Sequence, residues 1–185
     1  ENEFLFSKKE VELQQLKSQV NPHFLFNTLN TLYSFALKEN AEKTAQNIKK
    51  LSNLIRFMLS DIEKDFIPLQ NEVNYIKDYI DIQLARCSSR QNISVNIANI
   101  EDYRIAPMLL VPFVENSFKH GINPGEESTL ILNLECKANV LQFECKNSIN
   151  KQSQAKNSEQ GLGIGIENIK ARLALIYPDN HSIVI

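Results

Sequence analysis

Apolar residues near the start of the chain recur at three- and four-residue spacing, as along a helical seam: Leu13, Leu16 and Val20. Residues 1–38 contain no glycine and a single proline, Pro22, and are predicted to be helical. Proline lacks the N–H that bonds back one turn, so a kink is expected at Pro22. Residues 41–62 form a second predicted helix, with Ile48, Leu51, Leu54, Ile55, Met58 and Leu59 on one face. The polar run Lys38-Glu39-Asn40 is the expected turn between them, which makes an antiparallel hairpin. A hairpin alone buries little apolar surface, so two copies are expected to pair as a homodimer into a four-helix bundle.

Pro68 breaks this pattern and places a domain boundary at about residues 64–67, dividing the chain into 1–64 and 65–185. Residues 69–86 are predicted as an amphipathic helix through Leu69, Val73, Ile76, Tyr79, Ile80 and Leu84. Residues 92–99 alternate Ile93, Val95 and Ile97 and read as a strand. Residues 106–121 open with Pro107, close on Gly121, and read as a capped helix. Residues 129–136 and 140–147 read as a strand hairpin. Residues 151–160 read as a flexible loop, because Ala155 is their one apolar residue. A glycine-rich stretch, 161–165, then leads into a last helix, 166–176. The expected fold class is α+β: a helical hairpin followed by helices on one face of a mixed sheet.

With 43% hydrophobic and 23% charged residues among 185, the chain has an ordinary globular composition. Its net charge of −2 supplies no basic surplus for nucleic acid. Cys87, Cys136 and Cys145 lack C-x-x-C spacing and read as reduced thiols. His23, His120 and His181 are far apart, so no structural metal site is expected. No apolar run reaches membrane-spanning length. Both ends read as cut from a longer protein.

Three segments carry candidate chemistry. The first is Asn21-Pro22-His23-Phe24-Leu25-Phe26-Asn27. On a helical wheel Leu25, Leu29, Leu32 and Ala36 share one face, while His23, Asn27, Asn30 and Ser34 share a stripe roughly opposite. Asn27 follows His23 by one turn, within reach of anything attached to the ring. A solvent-facing imidazole is a competent nucleophile near neutral pH. On residue types alone, His23 also fits an inert surface histidine beside a kink. The second segment runs from Pro112 to Gly121, with Asn116, Lys119 and His120 on one helical face. An amide oxygen suits Mg²⁺ and a lysine suits phosphate; the same residues also fit the polar face of an amphipathic helix. The third, Gly161-Leu162-Gly163-Ile164-Gly165, lets backbone approach phosphate ahead of a helix N-terminus. It has neither P-loop nor Rossmann spacing, and a flexible turn is its plain alternative.

Taken in order, the segments resemble one family. Residues 16–30, centred on Asn21-Pro22-His23-Phe24-Leu25-Phe26-Asn27, are similar to the phospho-acceptor box of LytS/YehU-type sensor histidine kinases. Residues 114–121 resemble their N box, residues 161–173 their glycine box, and residues 67–86 their linking stretch. The resemblance covers nearly the whole chain.

It implies a dimerisation and phosphotransfer hairpin carrying His23, followed by a Bergerat-type α/β sandwich that binds ATP and Mg²⁺. His23 would be phosphorylated, and an Asp of a response regulator receiver domain would take the phosphoryl group. Asn116 would hold Mg²⁺, Lys119 would meet phosphate, and His120 would pack near the nucleotide. Gly161, Gly163 and Gly165 would shape a lid. An upstream membrane or sensor segment is implied, making this chain the cytoplasmic part of an inner-membrane protein. The sequence departs from the wider pattern of histidine kinases at two places. Phe24 stands where an acid often follows the histidine, which leaves Glu115 as a substitute acid. Asn147-Ser148-Ile149 stands where Asp-x-Gly reads the adenine amino group, so Asn147 would accept that hydrogen bond. Asn27 would orient water for dephosphorylating the regulator. The alternatives are a degenerate kinase acting as a dimeric signalling scaffold, and a gyrase- or chaperone-like ATPase on the same nucleotide fold.

Overall fold

The structure is a computed structural model that describes residues 21–87, 91–122, 125–148 and 164–185. The seam at Leu13, Leu16 and Val20, the 151–160 loop, Gly161 and Gly163 lie outside the described residues. Two compact units divide between Ile55 and Arg56, earlier along the chain than the boundary expected from Pro68.

The first unit holds helix α1 (Pro22–Lys38) and most of α2 (Glu42–Ser60). Helix α1 begins at Pro22, and the residues before Asn21, on which the expected kink depends, lie outside the described residues. Asn21 is extended (φ −71°, ψ 104°), as expected of a residue before proline, and its Oδ1 accepts from Phe24 N at 3.2 Å. Asn40 ends the helix in the left-handed region (φ 56°), with Ala41 N donating to Ala36 O at 2.8 Å. The expected turn at Lys38–Asn40 thus has a specific closing geometry. Leu29, Ala36, Ala45 and Leu54 are buried. Phe24, Leu32, Phe35, Leu37 and Leu51 remain exposed, so the predicted apolar faces of both helices are only partly covered.

In the second unit, β1 (Ile67–Pro68) pairs antiparallel with β3 (Arg104–Ile105), and α3 (Leu69–Leu84) follows β1 directly. A three-stranded mixed sheet has the order β2-β4-β5, with β2 (Gln91–Ala98) parallel to β4 (Ser128–Lys137) and β5 (Val140–Asn147) antiparallel to it. Ala138 and Asn139, both at positive φ, make the two-residue turn that suits the strand twist. Val95, Leu132 and Cys145 form one cross-strand row, and Ile97, Leu134 and Phe143 the next. Leu130, Leu132 and Leu134 are at most 2% exposed, and burying each contributes roughly 2 kcal/mol. On the opposite face Asn96 donates to Asn133, and Asn133 to Glu144, both at 2.8 Å.

Helix α4 (Val111–His120) packs on this sheet through Phe113 and Phe143 (ring centroids 5.8 Å apart) and on α3 through Phe118 and Tyr79 (5.7 Å). The helix starts later than Pro107 predicts. Met108 is at φ 60°, a backbone state that α-helix cannot continue through, and Pro112 sits in the first turn instead. Helix α5 (Ile164–Ile176) closes the unit; Arg172 donates to Met108 O at 3.5 Å, and Ala106 N donates to the hydroxyl of Tyr177 just beyond it. The fold is therefore α+β. Among the described residues no helix is long and apolar enough to cross a membrane.

Candidate functional site

His23 is exposed in the first turn of α1, next to Phe24, which is 70% exposed. The side-chain amide nitrogen of Asn27 lies 3.3 Å from His23 Nδ1 and 3.4 Å from Nε2. A neutral imidazole has one acceptor nitrogen, so the amide donates to whichever one is unprotonated. Thr28, Thr31 and Ser34 donate to the carbonyls of Phe24, Asn27 and Asn30, each at 2.9 Å. The opposite face is divided: Leu29 and Ala36 are buried, Leu25 half-buried, and Leu32 exposed.

In the second unit the end of β5 meets the end of α4. Asn147 Oδ1 accepts from Ser117 Oγ at 3.2 Å, and its Nδ2 donates to Ser148 O at 2.8 Å. Ser117 Oγ also lies 3.2 Å from Cys145 Sγ and 2.9 Å from Phe113 O. Burial pushes the Cys145 thiol up in pKa, so it is a neutral thiol here. Ser148 Oγ donates to Gly121 O at 2.9 Å. A Cβ at Gly121 would stand 2.2 Å from Asn147 Nδ2 and 2.7 Å from Ser148 O, so only glycine allows this approach. At the start of α5, a Cβ at Gly165 would lie 3.8 Å from Asn116 Nδ2.

The predicted residues of α4 therefore separate. Asn116 is half-buried and faces Gly165; Lys119 is exposed. His120 is half-buried, and its pKa is lowered first by burial and then by the charge of Lys119, so it is neutral at pH 7. Glu115 stands toward α3 instead. Burial raises its carboxyl, and its charge adds to the burial that pushes Tyr75 up to about 12 and raises Tyr79.

Four residues escaped the sequence reading: Ser117, Ser148, Cys145 and, above all, Glu72. The Glu72 side chain is 0% exposed, and its Oε1 accepts from Leu110 N at 2.7 Å and Val111 N at 3.3 Å. Burial pushes its carboxyl up to about 7, against the N–H groups of residues 108–111, which favour the charged form. Its position was readable as an acid on the Leu69, Val73, Ile76 face. No group of three His, Cys, Asp or Glu able to hold a metal exists among the described residues, so an ion here would need oxygen from an amide and from a ligand.

The family model described as "Histidine kinase" matches residues 11–91, the segment that holds His23, Asn27 and Glu72. Sensor protein LytS of Oceanobacillus iheyensis is 29% identical over 178 residues, covering 89% of this chain and 30% of the relative. Sensor protein LytS of Enterococcus faecalis is 27% identical over 180 residues, with 91% and 30% covered. The sensor histidine kinase/phosphatase LytS of Staphylococcus aureus is 28% identical over 177 residues, with 89% and 30% covered. The chain is thus similar to sensor histidine kinases of the LytS type. It spans 30% of the length of these curated LytS relatives. Similarity to LytS proteins extends over about nine-tenths of the chain, whereas the family model stops before α4, Asn147 and Gly165.

Proposed function

We propose that this chain is the core of a two-component sensor histidine kinase, which phosphorylates itself on His23 from ATP and passes the phosphoryl group to an Asp of a response regulator receiver domain. The observation that carries the reading is the pairing of an exposed His23 with Asn27 in one unit, and in a second unit the approach of Asn147 to Gly121 at the end of α4 and of Asn116 to Gly165 at the start of α5. The two helices of the first unit leave apolar side chains exposed, which supports pairing into a four-helix bundle as a homodimer. Helices on one face of a mixed sheet, with α4 and the start of α5 side by side, support a Bergerat-type nucleotide domain. By the LytS relationship, the chain is the cytoplasmic part of a membrane sensor whose anchor lies in other segments.

Each residue has a distinct part in this reading. The unprotonated ring nitrogen of His23 attacks the γ-phosphorus, a P–N bond forms, and the bond to the ADP oxygen breaks. Asn27 holds the ring and later orients water for dephosphorylating the regulator. Mg²⁺ bound with the nucleotide spreads the phosphate charge. Asn116 offers it an amide oxygen from a half-buried position beside Gly165, a donor that fits an ion keeping several waters. Lys119 places a cation near the phosphates, neutral His120 packs at the nucleotide, and Gly161, Gly163 and Gly165 let backbone approach it. Glu115 stands toward α3, beside Tyr75 and Tyr79, so in this reading the ring N–H proton released by His23 passes to solvent.

One observation favours the scaffold reading as the alternative. Both ends of the Asn147 amide already have protein partners, Ser117 and Ser148, so only the second lone pair of its Oδ1 is left to read an adenine amino group. Incubation with γ-labelled ATP and Mg²⁺ decides between them. The kinase reading expects acid-labile label on the wild type and none on His23→Gln. An unlabelled wild type that still dimerises supports the scaffold, and label persisting on His23→Gln refutes His23 as acceptor.

A further inference from the structure

Glu72 takes no part in the transfer chemistry, yet it is completely buried on α3. An ionisable group held there needs a compensating role, because burial disfavours its charge. The needs of α4 identify that role. With ten residues, α4 is too short to persist on its own. The residue at its cap position, Leu110, has an aliphatic side chain and makes no cap bond. Pro112 has no N–H, and Phe113 N is satisfied by Leu110 O at 3.2 Å. The remaining donors, Leu110 N and Val111 N, both point to Glu72 Oε1. A carboxyl here also faces the positive end of the helix. The other end of α4 is held from β5 and the residue after it, through Ser117 to Asn147 and Ser148 to Gly121.

We propose that Glu72 is a positioning residue for the nucleotide site: by capping α4 from α3, it fixes the helix that sets Asn116 beside Gly165 and carries Lys119. The proposal rests on the reading that α4 contacts the nucleotide. Its mechanism needs an acceptor oxygen at this place, which both the ionised and the neutral acid supply, and which the amide of glutamine supplies too.

The test uses the whole 185-residue chain carrying Glu72→Ala, Glu72→Leu or Glu72→Gln. Two quantities are measured well below each variant's unfolding midpoint: the affinity for Mg·ATP by calorimetry, and amide hydrogen exchange at Leu110 and Val111. Alanine and leucine should each weaken Mg·ATP binding about tenfold and speed those two amides by about the same factor, while glutamine stays within about threefold of wild type in both. A folded alanine or leucine variant that binds Mg·ATP as wild type does would show Glu72 to be merely structural. Glutamine as impaired as alanine overturns the acceptor role, and this comparison stands even if alanine fails to fold. A wild type that does not bind Mg·ATP sinks the nucleotide reading and the positioning role together. A binding wild type beside an equally binding alanine variant sinks the positioning role alone.

Discussion

Helices α1 and α4 carry the two sides of the proposed chemistry, and each has proline in its first turn, yet their free donors are satisfied in opposite ways. At α1 the cap is local and wet: Asn21, the residue just before the helix, accepts from Phe24 N at the surface. At α4 the cap comes from Glu72, 38 residues upstream of Leu110, across a buried helix contact. A local cap holds a helix end to its own chain alone. A cap from another helix ties two elements together, so the first turn of α4 moves only with α3. The first turn presenting His23 is thus capped from its own chain, while the helix bearing Asn116 is tied to α3.

Unfolding measurements can break this contrast. The largest effect is expected from Glu72→Ala, which leaves two buried N–H groups unpaired and should cost roughly 2–3 kcal/mol. The same group makes a pH prediction. Its folded pKa, about 7, lies above the ordinary 4.5, so the folded state binds this proton more tightly than the unfolded chain. The resulting stabilisation is fully present below about 4.5 and is lost as pH rises through about 7. Relative to Glu72→Gln, wild type should lose up to about 3 kcal/mol across that window; parallel stability curves would show that Glu72 does not titrate there. Next comes Gly121→Ala, where a Cβ meets Asn147 and the Ser148 carbonyl. It should cost roughly 2 kcal/mol in urea denaturation and lower Mg·ATP affinity. Asn21→Ala should cost about 1 kcal/mol, confined to the start of α1 and visible as faster amide exchange at Phe24. Asn27→Ala should leave stability within about 0.5 kcal/mol. It should slow regulator dephosphorylation while sparing autophosphorylation, and equal loss of both would count against its water-orienting role.

The same contrast explains what could be read from the sequence. Features set by neighbours in the chain were legible: β2 from its alternation, the β4–β5 hairpin from its short connection, α3 from its 3.6-residue period, and the stripe of His23 and Asn27 from the helical wheel. Features set across the fold were not. Pro107 marked a helix start that the left-handed Met108 forbids, and no residue-type rule predicts that conformation for methionine. Gly121 stops the helix as read, but its φ of −113° is ordinary, and the room it supplies for Asn147 was not legible. Glu115 read as a substitute for the acid that often follows the histidine, whereas the packing of α3 turns it toward Tyr75 and Tyr79. Glu72 was visible as an acid on an apolar face, but its partners lie in a loop that only tertiary packing brings near.

The hydroxyls along α1 have a further consequence for anything that docks beside His23. Thr28, Thr31 and Ser34 each spend their proton on a carbonyl of their own helix. What those three oxygens turn outward is lone-pair density, which repels an approaching phosphoryl or carboxylate oxygen and welcomes amide N–H groups or ammonium ions. The amide of Asn27 is the donor beside the ring, so the anionic chemistry of the stripe is concentrated at one turn of the helix.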